Sequence, residues 1–430
     1  MHRTRPLCTA ISWDLTKGAV DMLQQMLKAS RQAQKTLALS PANKRNQILE
    51  TMASLLAERR EMILAANRKD IERAIDLSPA LMKRLELTEA QLMRLIDGIH
   101  VVIRQPDPLG QGEGQRRLPN GLTIEAVHVP LGVIGLIFES RPGVAIEATA
   151  LIIKSGNAVI LRGGHEAMES IRVIVDCWQD AVTLSGFDKE LVQAILDPDR
   201  QYVTDLMHLN GLDLLIPRGG PGLIQKVVKE ATVPVIETGV GNCHVYVDNM
   251  ADVGMAVDIV TNAKVSNPGV CNAAETVLVH RDIAPKFLPA LEQHLSSYGV
   301  TLHADPLSRH YLSLAVPATE EDFATEYLSL DLAVKIVENI DEAIEHIARY
   351  GTKHSEAIVT NDYTRGEYFL NAVDAAVVYW NASTRFTDGY EFGMGGEVGI
   401  STQKLHARGP MGLLALTTWK WIAKGHGQIR

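Results

Sequence analysis

Cysteine is scarce in this chain, and the scarcity excludes more than it suggests. Only Cys8, Cys177, Cys243 and Cys271 occur in 430 residues, and none forms a CxxC pair. That count rules out a disulfide scaffold and fits a reducing cytoplasm. Long apolar runs are missing as well. The longest, Val129 to Phe138, contains Pro130 and two glycines and falls far short of the roughly 20 residues a membrane-spanning helix needs. At the N-terminus, Met1-His2-Arg3-Thr4-Arg5-Pro6-Leu7-Cys8 is basic, but Ser12-Trp13-Asp14 interrupts it before an apolar signal region builds, so secretion is not expected. Excess positive charge is absent. The formal net charge of -9 argues against a general affinity for nucleic acid or an anionic membrane surface. No internal repeat, low-complexity segment or metal-binding motif is evident.

What is present is apolar content: 46% of the residues, enough to bury the cores of two or three domains. The first hundred residues read as helices. Ser40-Pro41 gives an N-cap followed by a first-turn proline, and Ile48, Met52, Leu55 and Leu56 form a stripe while Glu58, Arg59 and Arg60 face water. Thr88-Glu89-Ala90-Gln91 has the capping-box pattern before Leu92, Leu95 and Ile96. A Pro/Gly-rich stretch, 105–114, then leads as a loop into an extended excursion over 122–129.

From residue 131 short apolar runs alternate with helical segments, the pattern of a parallel sheet covered on both faces. Strands are expected at 133–138, 158–161, 214–217, 233–236, 276–280, 333–337, 357–360 and 375–379, with helices at 145–154 and 166–182 among those between them. The fold class is α/β.

Two glycine turns fall where strands end. Arg162-Gly163-Gly164 follows one strand and Arg218-Gly219-Gly220-Pro221-Gly222 another, each before a helix. Glycine lets backbone approach a phosphate, and a helix N-terminus presents unpaired N–H groups to it. Neither turn matches G-x-G-x-x-G, so tight structural turns are the commoner meaning. Arg162, at a strand's carboxyl end, is suited to a ribose 2′-phosphate, which favours NADP over NAD; a solvated surface arginine is the alternative. Cys271 lies in Ser266-Asn267-Pro268-Gly269-Val270-Cys271-Asn272, a tight loop between a helical segment and the strand at 276–280. A thiol beside glycine and a short polar residue is open to a carbonyl carbon and has backbone N–H groups close by. The loop alone leaves a buried structural cysteine as an equal reading.

A resemblance decides between them. Pro130-Leu131-Gly132-Val133-Ile134-Gly135, Phe138-Glu139-Ser140-Arg141-Pro142, Lys154-Ser155-Gly156-Asn157, Glu237-Thr238-Gly239-Val240-Gly241, Lys353-His354-Ser355-Glu356, Asn381-Ala382-Ser383-Thr384-Arg385-Phe386-Thr387-Asp388-Gly389 and Ser401-Thr402-Gln403-Lys404-Leu405-His406-Ala407-Arg408-Gly409 together resemble the γ-glutamyl phosphate reductases of the aldehyde dehydrogenase superfamily. The last two motifs are specific to that family. No glutamate kinase domain precedes the match, as expected of its stand-alone members.

The resemblance implies reduction of L-glutamate 5-phosphate by NADPH to the 5-semialdehyde with release of phosphate, the second step of proline synthesis. Cys271 becomes the nucleophile that forms a thioester, with the N–H groups of Cys271 and Asn272 receiving the oxyanion. Arg162, Gly163, Gly164, Gly219, Gly220 and Glu326 are implied cofactor contacts. Ser383, Thr384 and Arg385 are suited to clamp the α-carboxylate, and Arg141 to meet the phosphate. Glu237 occupies the place of a water-activating glutamate that a reductase does not need. One departure stands out: Gly143 replaces a usual asparagine, leaving backbone alone to open the following helix.

The implied fold is aldehyde dehydrogenase-like, with the active site in the cleft between a Rossmann-like NADP-binding domain (15–117 and 130–244) and a catalytic domain (245–400). A small β arm (118–129 and 401–430) is expected to make a homo-oligomer, with Trp419 and Trp421 as interface anchors. Transient contact with glutamate 5-kinase is a further implied partnership. Two other readings stay open at this point, a related acylating or oxidising aldehyde dehydrogenase and a catalytically silent scaffold for the kinase.

Overall fold

The computed structural model describes residues 12–75, 77 and 79–430; Cys8 and the basic N-terminal stretch lie outside the described residues. Two units make up the chain: Met1–Ile236 with Gly412–Arg430, and Glu237–Met411. Among the described residues no helix is long and apolar enough to cross a membrane.

The first unit opens with helices α1 (Ser12–Ala38), α2 (Ala42–Glu58), α3 (Arg60–Arg73), α4 (Pro79–Leu85) and α5 (Glu89–Arg104). In α2 the buried side chains include Ile48, Leu49, Met52, Leu55 and Leu56, one stripe of a 3.6-residue period. Its start differs from expectation. Pro41 holds the N-cap position in extended conformation, and the Ser40 hydroxyl donates instead to the Leu37 carbonyl at 2.6 Å, closing α1. Thr88 and Gln91 do form a reciprocal capping box on α5.

The 105–114 passage is not all loop. Gly112–Arg117 is strand β1, antiparallel to β2 (Thr123–Pro130). Next come β3 (Val133–Phe138), α6 (Val144–Lys154), β4 (Ala158–Gly163), α7 (Met168–Leu184), β5 (Val192–Ala194), α8 (Gln201–Met207), β6 (Leu214–Arg218) and α9 (Pro221–Glu230). Strands β5-β4-β3-β6 form a parallel sheet in that order, and every residue of β3 and β4 is buried, which is why Val133–Phe138 and residues 158–161 read as apolar runs. The strand expected at 233–236 shrinks to one parallel bridge, Leu215 with Val235. Pro234 has a carbonyl that accepts from Leu215 but no N–H with which to extend a ladder.

The second unit holds β7 (Cys243–Val247), α10 (Val253–Val265), β8 (Ala274–His280), α11 (Ala284–Ser296), β9 (Thr301–Ala304), β10 (Val316–Pro317), α12 (Glu320–Ala324), β11 (Asp331–Val337), α13 (Ile340–Tyr350), β12 (Ser355–Val359), α14 (Tyr363–Ala372), β13 (Val377–Trp380), β14 (Ile400–Ser401) and β15 (Gly409–Pro410). Its seven-stranded sheet runs β10-β9-β11-β8-β7-β12-β13, all parallel. Alternate residues feed two cores. Val245, Val247, Val277 and Val279 pack with Phe287 and Leu291 of α11, while Tyr246, Leu278 and Ile358 pack with Ile347 of α13 and Phe369 of α14. The chain then returns to the first unit as β16 (Thr417–Lys424), which pairs with β2 to complete a three-stranded sheet in the order β1-β2-β16. Trp419 and Trp421 stand about half exposed on it, at 49% and 60%.

Candidate active site

Cys271 sits on the turn between α10 and β8, half-buried, at the amino edge of the seven-stranded sheet. Open parallel sheets usually bind ligands at their carboxyl edge, so this edge must be built by side chains and neighbouring loops. The Cys271 carbonyl is clamped from two directions. The Cys243 thiol, on the first residue of β7, donates to it at 3.2 Å. Backbone at Gly241 presses on it so closely that a Cβ there would overlap the oxygen. Gly241 is held in turn by its own N–H, which donates to Glu326 Oε1 at 2.7 Å.

Asn272 is buried, and its side chain meets the segment expected to grip substrate. Its amide nitrogen donates to the Thr387 carbonyl at 2.9 Å and its amide oxygen accepts from the Arg385 guanidinium. The Thr384 hydroxyl donates to the Asn272 carbonyl at 2.7 Å, and Arg385 Nε donates to Ser266 Oγ at 3.0 Å. Ser383 opens the short 3-10 turn carrying Thr384 and Arg385, its hydroxyl accepting from the Arg385 N–H at 3.3 Å. Cys271, Asn272, Ser383, Thr384 and Arg385 therefore share one locus, although more than 100 residues separate Asn272 from Arg385.

A polar layer lies beneath. His354 Nδ1 is 2.8 Å from Ser355 Oγ, which is 2.7 Å from Thr387 Oγ1, itself 2.7 Å from the Tyr379 hydroxyl. Burial pushes His354 down to about 4 and the Cys243 thiol well up, so both are neutral near pH 7. Arg385 is lowered by burial, with the Asp388 carboxylate opposing.

Sequence reasoning passed over two residues of this neighbourhood. Lys264, near the end of α10, and Glu275, in β8, form a wholly buried ion pair at 2.5 Å. Lys264 also donates to the Ser329 carbonyl at 3.0 Å, and Glu275 accepts the Leu328 N–H at 3.3 Å, so the pair fixes the turn just after Glu326. Burial pushes Glu275 up to about 7 and Lys264 down. Their signal was available: charged residues at positions whose neighbours all read as core. Glu237 lies on the loop before β7, where its N–H donates to Gln403 Oε1 at 2.9 Å.

The remaining candidates gather at the carboxyl edge of the first unit's sheet. Gly219 and Gly220 follow β6 at the head of α9, and the Gly220 N–H donates to Glu139 Oε2 at 2.7 Å. Arg141 is half-buried after β3, behind Ser140, whose left-handed φ of 40° and N–H bond to Glu166 Oε1 at 2.7 Å shape the turn. Gly163 and Gly164 end β4, where a Cβ would overlap Ile171 and Glu166 respectively. Arg162 faces inward: 3% exposed, its guanidinium donates to the carbonyls of Gly163, Pro198 at 3.3 Å and Asp199 at 3.2 Å. The donors expected to meet a 2′-phosphate serve the chain's own turn. Gly143 opens α6 with helical φ and its carbonyl accepts the N–H groups of Ile146 and Glu147, so backbone alone does what a capping side chain would.

Comparison with known proteins identifies the family. The profile of the aldehyde dehydrogenase family matches residues 2–309. The γ-glutamyl phosphate reductase of Carboxydothermus hydrogenoformans is 51% identical over 414 residues, 96% of this chain and 100% of the relative. That of Heliobacterium modesticaldum is 53% identical over 94% of this chain and 97% of its own. The crystal structure of the γ-glutamyl phosphate reductase from Thermotoga maritima superposes with a TM-score of 0.92 at 45% identity, over 95% of this chain and 99% of that one. The chain is therefore an oxidoreductase that belongs to the aldehyde dehydrogenase family, among its γ-glutamyl phosphate reductases.

Proposed function

We propose that the chain reduces L-glutamate 5-phosphate to L-glutamate 5-semialdehyde with release of phosphate, the second step of proline synthesis from glutamate, using NADPH. The observation that carries this reading is the convergence of Ser383, Thr384 and Arg385 on Asn272, beside Cys271. The Cys271 thiolate attacks the acyl carbon, the carbonyl electrons move onto oxygen, and their return expels phosphate and leaves a thioester. Through both tetrahedral stages the oxyanion is received by the N–H groups of Cys271 and Asn272, which are rigid because the carbonyls of the same two residues are tied to Cys243 and Thr384. Reduced nicotinamide, when bound, supplies the hydride that turns the thioester into a thiohemiacetal. Collapse of that adduct releases the aldehyde and returns the sulfur. Glu237 has no hydrolysis to promote.

The first unit is the proposed NADP-binding domain. Its donors suit an anion: the Gly220 N–H at the head of α9 already holds a carboxylate oxygen, the charge type of a phosphate. Gly163, Gly164 and Gly219 offer close backbone, and Arg162 acts by fixing the turn. Arg141 is the proposed partner of the transferring phosphate, and Glu326 of the nicotinamide ribose. The β1-β2-β16 sheet, with Trp419 and Trp421, is proposed as the self-association surface of a cytoplasmic homo-oligomer that meets glutamate 5-kinase transiently.

The reaction run in reverse tests the reading. Glutamate 5-semialdehyde should reduce NADP only when inorganic phosphate is present, and Cys271→Ala should abolish the signal. Reduction that proceeds without phosphate would sink it in favour of an oxidising relative.

A further inference from the structure

Two motifs of the sequence, Lys353-His354-Ser355-Glu356 and Gln403 to Arg408, have no part in the chemistry above, yet they meet in the second unit. Their meeting point is Asp374, just before β13. Its Oδ1 accepts from Arg408 at 2.8 Å, while its Oδ2 lies 3.2 Å from Lys404 Nζ and 3.6 Å from Lys353 Nζ. One carboxylate thus faces three cations in a chain whose net charge is -9.

Stability does not explain the arrangement. Exposed ion pairs contribute little, and cations gathered on one carboxylate repel one another. The Asp374 side chain is 45% exposed and those of Lys353 and Lys404 more so. Two further features mark the cluster. Arg408 Nε is buried and has no partner, and Lys353 holds a left-handed φ of 63°, a conformation unfavourable for a non-glycine residue.

Position supplies the rest. Lys353 leads into β12 through His354, whose Nδ1 is 3.8 Å from Cys243 Sγ, the thiol that donates to the Cys271 carbonyl. Lys404 follows Gln403, which accepts the Glu237 N–H. The cluster therefore lies on the same amino edge of the sheet as the Cys271 loop.

We propose that Lys353, Lys404 and Arg408 form an anion-collecting station for phosphate, gathering the phosphate-bearing acid before reaction and the released phosphate after it. Asp374 groups the three side chains and, as a competing anion, keeps their grip weak enough for release. The choice of phosphate rests on the function proposed above; the cationic station does not. Arg141, the proposed partner of the transferring phosphate, belongs to the first unit and is no part of the cluster.

Inorganic phosphate is the probe, titrated at low salt into the full-length protein by calorimetry or phosphorus NMR. Lys404→Gln and Arg408→Gln should each weaken binding about fivefold, the equivalent of roughly 1 kcal/mol. Asp374→Asn should tighten it by a similar factor, an outcome misfolding cannot produce. Half-molar sodium chloride should compress all three differences, because these charges are exposed. The KM for phosphate in the reverse reaction should follow the same order, moving more than kcat. Equal affinity in all four proteins, or weaker binding by Asp374→Asn, overturns the proposal and leaves a surface staple. If the binding order holds while the wild type shows no phosphate-dependent reduction of NADP, the substrate reading falls and the station stands.

Discussion

The two parallel sheets use opposite edges. In the first unit the candidate residues follow the carboxyl ends of β3, β4 and β6, where glycine turns run into helix heads and carboxylates of Glu139 and Glu166 take up backbone N–H groups. In the second they gather at the amino ends of β7, β8 and β12, where side chains from distant segments do the fixing. At one edge backbone N–H groups meet carboxylates, and at the other packing and hydrogen bonds fix the loop of the proposed nucleophile. Each should therefore break in its own way.

Cys271→Ala should break the second edge most, lowering phosphate-dependent turnover by about 10³-fold or more, as loss of a covalent nucleophile does. NADP binding, measured by fluorescence or calorimetry, should persist. Gly241→Ala comes next. Its Cβ would overlap the Cys271 carbonyl, and because the clash is with backbone the loop must move, at a cost of about 1–3 kcal/mol. Alkylation of Cys271 should change rate and kcat should collapse with the cofactor Kd unaltered. A variant that keeps full kcat would show that the clamp on Cys271 does not matter.

The first edge was the more legible in the sequence, for a physical reason. Glycine after an apolar run marks a turn locally, so Gly163, Gly164, Gly219 and Gly220 fell where expected. Strand β3, an unbroken apolar run, and β8, with Val277-Leu278-Val279 at its centre, were equally plain. Strand β7 escaped because Cys243-His244 opens it with polar residues, and only the fold shows His244 paired with the buried Glu356 at 3.1 Å. The Asn272 to Arg385 bonds are long-range and no local period announces them, while Lys264 and Glu275 stand out in sequence as charges among core positions but carry no mark of their pairing. Arg162 shows the same limit: its place at a strand end is visible in sequence, its inward direction is not.

Gly163→Ala sharpens the comparison from the other side. Its Cβ would overlap the tip of the Ile171 side chain and approach Phe138 at 3.2 Å, so these side chains or the turn after β4 must shift. We expect the KM for NADP to rise about tenfold, the equivalent of roughly 1.4 kcal/mol, while alkylation of Cys271 without cofactor stays at the wild-type rate. Slower alkylation would mean that damage at the first edge reaches the second.

Acid should separate the units last and least. In the second unit His346 packs against Tyr350 at 4.5 Å and Phe323 at 5.2 Å, and burial pushes it down to about 2, with His354 down to about 4. Both are neutral when folded and bind protons near pH 6.5 when unfolded. Their contribution is complete above that pH and lost as pH falls, by up to about 1.4 kcal/mol per pH unit for each ring. In the first unit burial pushes Asp70 up, so its folded form is favoured as pH falls, the opposite sign. Hydrogen exchange at pH 7.5 and pH 5.5, corrected for intrinsic rates, should show protection falling in α13 and β12 relative to α3 and α7. His346→Phe should flatten that fall while leaving the first unit's profile unchanged; an unaltered slope would mean the ring meets water in the folded state.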